Sequence, residues 1–283
     1  MSFEAPFGAF APGPLASAAR ALAARTGRGP VGRVLRSLLF TLAGGRRRRP
    51  ADVAVFGGQR ARLHAWDNLS EKRVLRSEAH WDAEERAFVA ARARAGGGVF
   101  RFADVGANAG LHTLAARSAA QAAGRPFRAV AIEPQPEMLA RLCFNLAASD
   151  AQAEVAVRPW AAAEAPGELR LAAGEINRGE ARRAKPGESG VMVEARPLVE
   201  ALAALGGRVD VLKIDIEGHE RPALAALFDA VDQAWWPAAM VVEAGRGDLT
   251  LPGVALCLER GYRAVGATRM NALLLAPDVV EAA

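Results

Sequence analysis

The chain is poor in several residue types, and each shortage excludes something. Among 283 residues there are two cysteines and one tyrosine. Cys143 and Cys257 sit inside apolar patterns, with no metal-ligand spacing around them. That excludes a disulfide scaffold and a thiolate zinc site, and both read as buried free thiols of a reducing cytoplasm. Lysine is confined to Lys72, Lys185 and Lys213, and Tyr262 is the sole tyrosine, so no Tyr/Lys catalytic pair of the oxidoreductase kind can be identified. No apolar run reaches the roughly 18 residues of a membrane span. Pro12, Pro14, Arg20 and Arg25 interrupt the first segment, so no secretory signal is expected there.

What is present is ample apolar material, 51% of the residues, enough for one large α/β domain plus an appendage. Basic residues are nearly all arginine, which with the Ala and Gly content fits a GC-rich bacterial genome. The charge is uneven. Residues 1–50 carry nine arginines and one acid, Glu4, for +8; the remainder carries 27 basic and 30 acidic residues, for −3. The high isoelectric point therefore belongs to the first segment, and no nucleic-acid binding is expected of the folded domain.

Three segments follow from the pattern. Residues 1–50 read as a basic, flexible arm ending in Arg46-Arg47-Arg48-Arg49-Pro50. Within it Val31, Val34, Leu35, Leu38 and Leu39 have helical spacing. The sharper reading is an amphipathic helix in peripheral contact with membrane or glycolipid. The plainer and favoured one is a short helix docked on its own domain, since charge runs are usually solvated. Residues 51–95 form a cap region closing in a helix, Trp81 to Ala95, with Asp82 as its N-cap. Residues 96–283 alternate strands and helices, which implies a mostly parallel sheet with helices on both faces. Residues 174–190, polar and rich in Gly and Pro, read as a loop or active-site flap.

Two clusters carry chemistry. The first is Asp104-Val105-Gly106-Ala107-Asn108-Ala109-Gly110, between an apolar strand and a helix. Such a turn brings backbone N–H groups and a helix N-terminus up to a ligand. Glu133 ends the next strand, where a carboxylate can accept hydrogen bonds from both ribose hydroxyls. Asn108 stands where a dinucleotide fingerprint needs its second glycine, and Asp104 is a poor neighbour for a pyrophosphate. A carboxylate there suits an amino-bearing ligand such as the methionine part of S-adenosylmethionine. The second cluster is Lys213-Ile214-Asp215-Ile216-Glu217-Gly218-His219-Glu220. Alternation along an extended strand Asp210 to Ile216 puts Lys213, Asp215 and Glu217 on one face, at a carboxyl end where open α/β sheets bind ligands. So many charges beside a buried strand are costly unless paired or used.

D-V-G-A-N-A-G, I-E-P-Q-P-E and K-I-D-I-E-G-H-E, in that order and spacing, resemble the FkbM-type S-adenosylmethionine-dependent methyltransferases, over roughly Trp81 to Ala276. Asn145, Val241 to Glu243, Gly261-Tyr262 and Asn271 to Leu274 are weaker matches, and residues 1–50 match nothing in the family pattern. The resemblance implies a Rossmann-like class I sheet of seven strands, the last antiparallel. It implies O-methylation of a hydroxyl on a sugar, glycolipid or secondary metabolite. By analogy Asp104, Gly106, Asn108 and Gly110 line the methionine and ribose. Glu133 holds the ribose hydroxyls, Pro134 shapes the turn, and Trp160 and Ala161 flank adenine, although plain core packing is nearly as good a reading of Trp160. A hydroxyl is a weak nucleophile near neutral pH, so a general base is expected: Asp215 first, then Glu217, then His219. Asp215, Glu217 and Glu243 could supply oxygen ligands to a divalent metal, but spacing alone does not support one and none is expected.

A nicotinamide-dependent oxidoreductase and a non-catalytic nucleoside-binding scaffold are the rival readings. Asn108 argues against the first, and intact Asp104, Glu133, Asp215 and Glu217 against the second. The expected setting is the cytoplasm, with the arm as the only peripheral link to a membrane and a small-molecule or saccharide acceptor as partner.

Overall fold

The computed structural model describes residues 5–173, 179, 181–185, 187–245 and 247–280. It begins with helices α1 (Pro14–Ala24) and α2 (Pro30–Leu42), each opened by a proline, whose missing N–H costs nothing in a first turn. A hairpin follows, β1 (Ala51–Val55) and β2 (Gln59–Leu63), then helices α3 (Leu69–Ser77) and α4 (Ala83–Ala95). Alternation then sets in: β3 (Phe100–Val105), α5 (Leu111–Ala122), β4 (Phe127–Ile132), α6 (Pro136–Ala148) and β5 (Val155–Arg158). Four more strands come next, β6 (Ala161–Ala163), β7 (Gly167–Ala173), β8 (Ala181–Arg183) and β9 (Val191–Pro197). The chain closes with α7 (Leu198–Leu202), β10 (Val211–Ile214), α8 (Glu220–Ala230), β11 (Ala239–Glu243), α9 (Pro252–Glu259), β12 (Arg263–Ala267) and β13 (Asn271–Leu275).

The main sheet has seven strands in the order β12-β13-β11-β10-β3-β4-β5, and only β13 runs against its neighbours. This is the α/β architecture expected, with the antiparallel last strand inserted between β11 and β12. Strand alternation explains why both faces need cover. Phe100 and Phe102 enter one core with Leu114 and Leu142, while Ala103 and Val105 enter the other with Leu212, Ile214 and Leu224. Neither face is left to water, so strands β3, β4 and β10 read as nearly continuous apolar runs. At about 25 cal/mol per Å2 of apolar area, each fully buried Leu or Phe contributes roughly 1.5–3 kcal/mol. The same alternation puts Asp104 and Lys213, register partners on adjacent strands, on the Phe100 side.

Several expectations need correction. The second sheet, β6-β9-β7-β8, was not anticipated, and β8 stands within the expected flap. Residues 174–178, 180 and 186 of that flap lie outside the described residues. The expected single strand Asp210 to Ile216 is extended only over Val211–Ile214, so alternation does not govern Asp215 and Glu217. The helix expected to dock on its own domain is one of a pair, α1 and α2, packed on α3, and the leading segment is tied to the hairpin. Asp52 Oδ2 accepts from the backbone N–H groups of Gly8 and Phe10, and Arg62 donates to the carbonyls of Ala5 and Pro6. Asp82 occupies the N-cap position of α4, but its side chain makes no cap bond. Cys143 is exposed on α6, whereas Cys257 is buried as expected. Among the described residues no helix is long and apolar enough to cross a membrane.

Candidate functional site

The first cluster folds as a tight turn between β3 and α5. Gly106 has φ 75° and Gly110 φ 80°, and Asn108 joins them at φ 52°, a conformation asparagine tolerates better than most residues. A Cβ on Gly106 would stand 2.0 Å from the backbone oxygen of Asp215, so the glycine turn rests directly on the second cluster. Asn108 is held from every side. Its N–H donates to Glu133 Oε2 (2.7 Å), its Oδ1 accepts from Ala109 N (2.8 Å) and Asn68 Nδ2 (2.7 Å), and its Nδ2 donates to Gly179 O (3.1 Å). Asn145, fully buried, ties the turn to the hairpin. It donates to Ala109 O and accepts from Arg62 N.

Glu133 accepts one backbone N–H on each oxygen, from Asn108 and from Gln135 (2.9 Å). Burial pushes its carboxyl up to about 7, aided by Asp104, although those two N–H groups and Lys213 oppose the rise. Asp104 is fully buried. Its Oδ2 accepts from Thr113 Oγ1 (2.6 Å), while Oδ1 has no hydrogen-bond partner and lies 3.9 Å from Lys213 Nζ. Burial works against the Lys213 charge, but Asp215, Asp104 and Asp82 outweigh it and hold the ammonium above its usual range.

The second cluster is a loop closed by its own helix. Glu217 (φ 55°) and Gly218 (φ 92°) are both left-handed, which turns the chain off β10. Glu220 is buried at the start of α8, and its Oε1 accepts from Ile216 N (2.8 Å) and Gly218 N (3.3 Å). It therefore fixes the loop, a role that its place in the sequence suggested only as a favourable helix-dipole charge. Asp215 is half-buried, with Oδ2 3.5 Å from Lys213 Nζ. Glu243, at the end of β11, has its carboxyl pushed up to about 8 by burial and by Asp215, Glu220 and Glu217, against Lys213.

Both clusters open on one cleft of about 220 Å3. Gly106, Asn108, Glu133, Pro134 and Ala161 line it, and so do Asp215, Glu217 and His219. Three anticipated cofactor residues do not. Trp160 is buried in the core with Leu198 and Leu224, and the wall it was expected to form is made by Ala161 and Ala162. Gly110 packs α5 on α6, since a Cβ there would meet Leu142 Cδ1 at 2.6 Å. Asp104 lies beneath the turn rather than in the wall. Sequence reasoning missed His112, whose Nε2 lies 3.2 Å from Asp82 Oδ2 and whose ring packs, tilted, against Trp81 with centroids 4.5 Å apart. Its signal was faint, one of four histidines placed two residues past the last glycine of the turn. It missed Arg73 and Arg183 as well, both in the wall.

This donor set fits a nucleoside with an amino-acid tail. One carboxylate, Glu133, reaches the cleft with lone pairs to spare, a small apolar wall stands beside it, and an unsatisfied carboxylate oxygen, Asp104 Oδ1, lies under the turn. Among the described residues no group of three or more His, Cys, Asp or Glu is arranged to hold a metal ion.

A family model described as the methyltransferase FkbM domain matches residues 104–254, more than half of the chain. No curated protein matches significantly. Among solved structures, an FkbM methyltransferase from Methylobacillus flagellatus KT is similar at 15% identity and a TM-score of 0.45, covering 91% of this chain and 58% of that one. The chain thus spans less than two thirds of that relative. A precorrin-6y C5,15-methyltransferase from Geobacter metallireducens GS-15 is similar at 14% identity and a TM-score of 0.41, over 68% of this chain and 87% of that one. An S-adenosylmethionine-dependent O-methyltransferase from Thermotoga maritima is similar at 11% identity and a TM-score of 0.41, over 70% and 67%.

Proposed function

The chain belongs to the FkbM methyltransferase family, and from that premise we propose that it methylates a hydroxyl oxygen of a sugar, glycolipid or secondary metabolite. The methyl donor is S-adenosylmethionine, which when bound supplies a methyl group already activated on a sulfonium centre. The observation that carries the reading is one cleft shared by Glu133 and Asn108 on one side and Asp215, Glu217, His219 and Glu243 on the other.

Glu133 takes the ribose hydroxyls, while Pro134, Ala161 and Ala162 give adenine an apolar wall. Asp104, with one oxygen unsatisfied, draws positive charge towards the turn. The protein's main task is alignment, since the transferred group needs no further activation. Asp215 accepts the proton of the acceptor hydroxyl, and Lys213 Nζ, 3.5 Å from its Oδ2, orients that carboxylate. Glu217 and His219 flank it. The His112–Asp82 pair in the same cleft is the second candidate base, because a carboxylate at one ring nitrogen orients the other.

Two measurements test this. S-adenosylmethionine and S-adenosylhomocysteine, at about 100 times their dissociation constants, should stabilise the fold by roughly 2.7 kcal/mol, whereas NAD should not. In a labelled-methyl assay with sugar acceptors, Asp215→Asn should lower kcat by roughly 10²–10⁴-fold, while cofactor affinity stays within about threefold. Full turnover in Asp215→Asn, with loss in His112→Gln, would move the base to His112.

A further inference from the structure

We propose that the α1–α2 helix pair is an interfacial docking face for an anionic lipid bilayer. α2 packs on the rest of the protein through Arg36, Leu39 and Phe40, all buried. Its outward face is aliphatic: Val31, Val34, Leu35, Leu38 and Leu42 recur at helical spacing and are 39–82% exposed. In α1, Leu15 and Leu22 are exposed one heptad apart, at 72% and 51%. Half of the exposed large hydrophobic side chains among the described residues fall on these two helices. Scattered exposed leucines are ordinary, but a continuous stripe on an amphipathic helix is not.

Charge selects the occupant. Residues 1–50 hold nine arginines against one acid. Arg33 projects from α2, exposed, and Arg46, Arg47, Arg48 and Arg49 follow its end, also exposed. A second copy on this face would bring like charge to like charge. An anionic bilayer accepts both the aliphatic stripe and the Arg46 to Arg49 run that follows it. At 1.5 Å per residue, the 13 residues of α2 reach about 20 Å, too short for a hydrocarbon core of about 30 Å, so the helix lies in the interface. The placement is also useful. A groove lined by Arg33 and Arg36 of α2, Arg73 and Arg76 of α3, and Arg269, with Asp82, Glu84 and Glu85 along one side, shares Arg73, Trp81, Asp82 and Met270 with the cleft. A docked molecule therefore offers an arginine-bearing groove between the lipid surface and the site.

The test is co-flotation of the full chain with vesicles of phosphatidylcholine alone or mixed with phosphatidylglycerol, without methyl donor or acceptor. Flotation is expected with the anionic vesicles only, weakening as salt is raised. Val34→Ser combined with Leu38→Ser should reduce binding more than about tenfold, and Arg47→Gln combined with Arg48→Gln roughly fivefold. These positions are exposed, so melting temperatures should stay near that of the wild type. No flotation, equal flotation with neutral vesicles, or unchanged binding by both variants would overturn the proposal. So would a wild-type dimer that the serine variant converts to monomer, which would assign the face to a second copy.

Discussion

Glu243 is the residue whose surroundings least suit its charge. Three other carboxylates face it, and only Lys213 offsets them. Its carboxyl titrates near 8 in the fold and near 4.5 in the unfolded chain. Between those values the folded state holds a proton that the unfolded state has released, so stability falls as pH rises. Glu133, raised to about 7, adds to the same trend over a narrower window. Glu243→Gln should therefore raise the melting temperature at pH 8 and leave it nearly unchanged at pH 4.5, as a pair of thermal scans would show. A gain of equal size at both pH values would mean that the carboxyl is not held protonated. The sequence showed Glu243 at a strand end, but its proximity to Asp215 and Glu220 depends on β10 and β11 pairing in parallel.

At the scale of elements, two glycines separate steric need from backbone strain. Gly218 is left-handed but open, with nothing within 4 Å of where a methyl would stand, so Gly218→Ala should cost about 1–2 kcal/mol. Gly106 is left-handed too, and a methyl there would strike the backbone of Asp215. Gly106→Ala should cost clearly more, roughly 3 kcal/mol or above, because two strand ends must separate. Denaturant melts of both variants check the order. The alternating elements from β3 to β13 were legible because apolar runs, glycine stops and proline starts agreed along them. The four strands β6 to β9 were not. β6 and β8 have only three residues each, and β7 and β9, at seven, pair in an order set by tertiary contact rather than by period. α2 shows the opposite difficulty. Its period was legible, but a periodic stripe does not say which way it faces.

Across the whole molecule, the two chemical clusters were visible in sequence because each is local, a run of seven or eight residues. What joins them was not, since His112, Asp82 and Arg73 arrive from separate helices and meet only in the folded cleft. The cross-ties through Asn108 have a consequence of their own. Its side chain holds Asn68, the N-cap of α3, and the carbonyl of Gly179, while its amide is engaged by Glu133. A nucleoside hydrogen-bonded to Glu133 thus pulls on the same residue that anchors the cap and the Gly179 carbonyl. Occupancy and closure become reciprocal: whatever tightens the cap favours the nucleoside by the same factor as the nucleoside favours the cap. Amide hydrogen exchange across residues 69–77 should slow on adding S-adenosylhomocysteine, and Asn108→Ala should abolish that slowing. The glycine turn then works as a transmission joint, reporting the state of the nucleoside pocket to a helix that also lines the arginine groove.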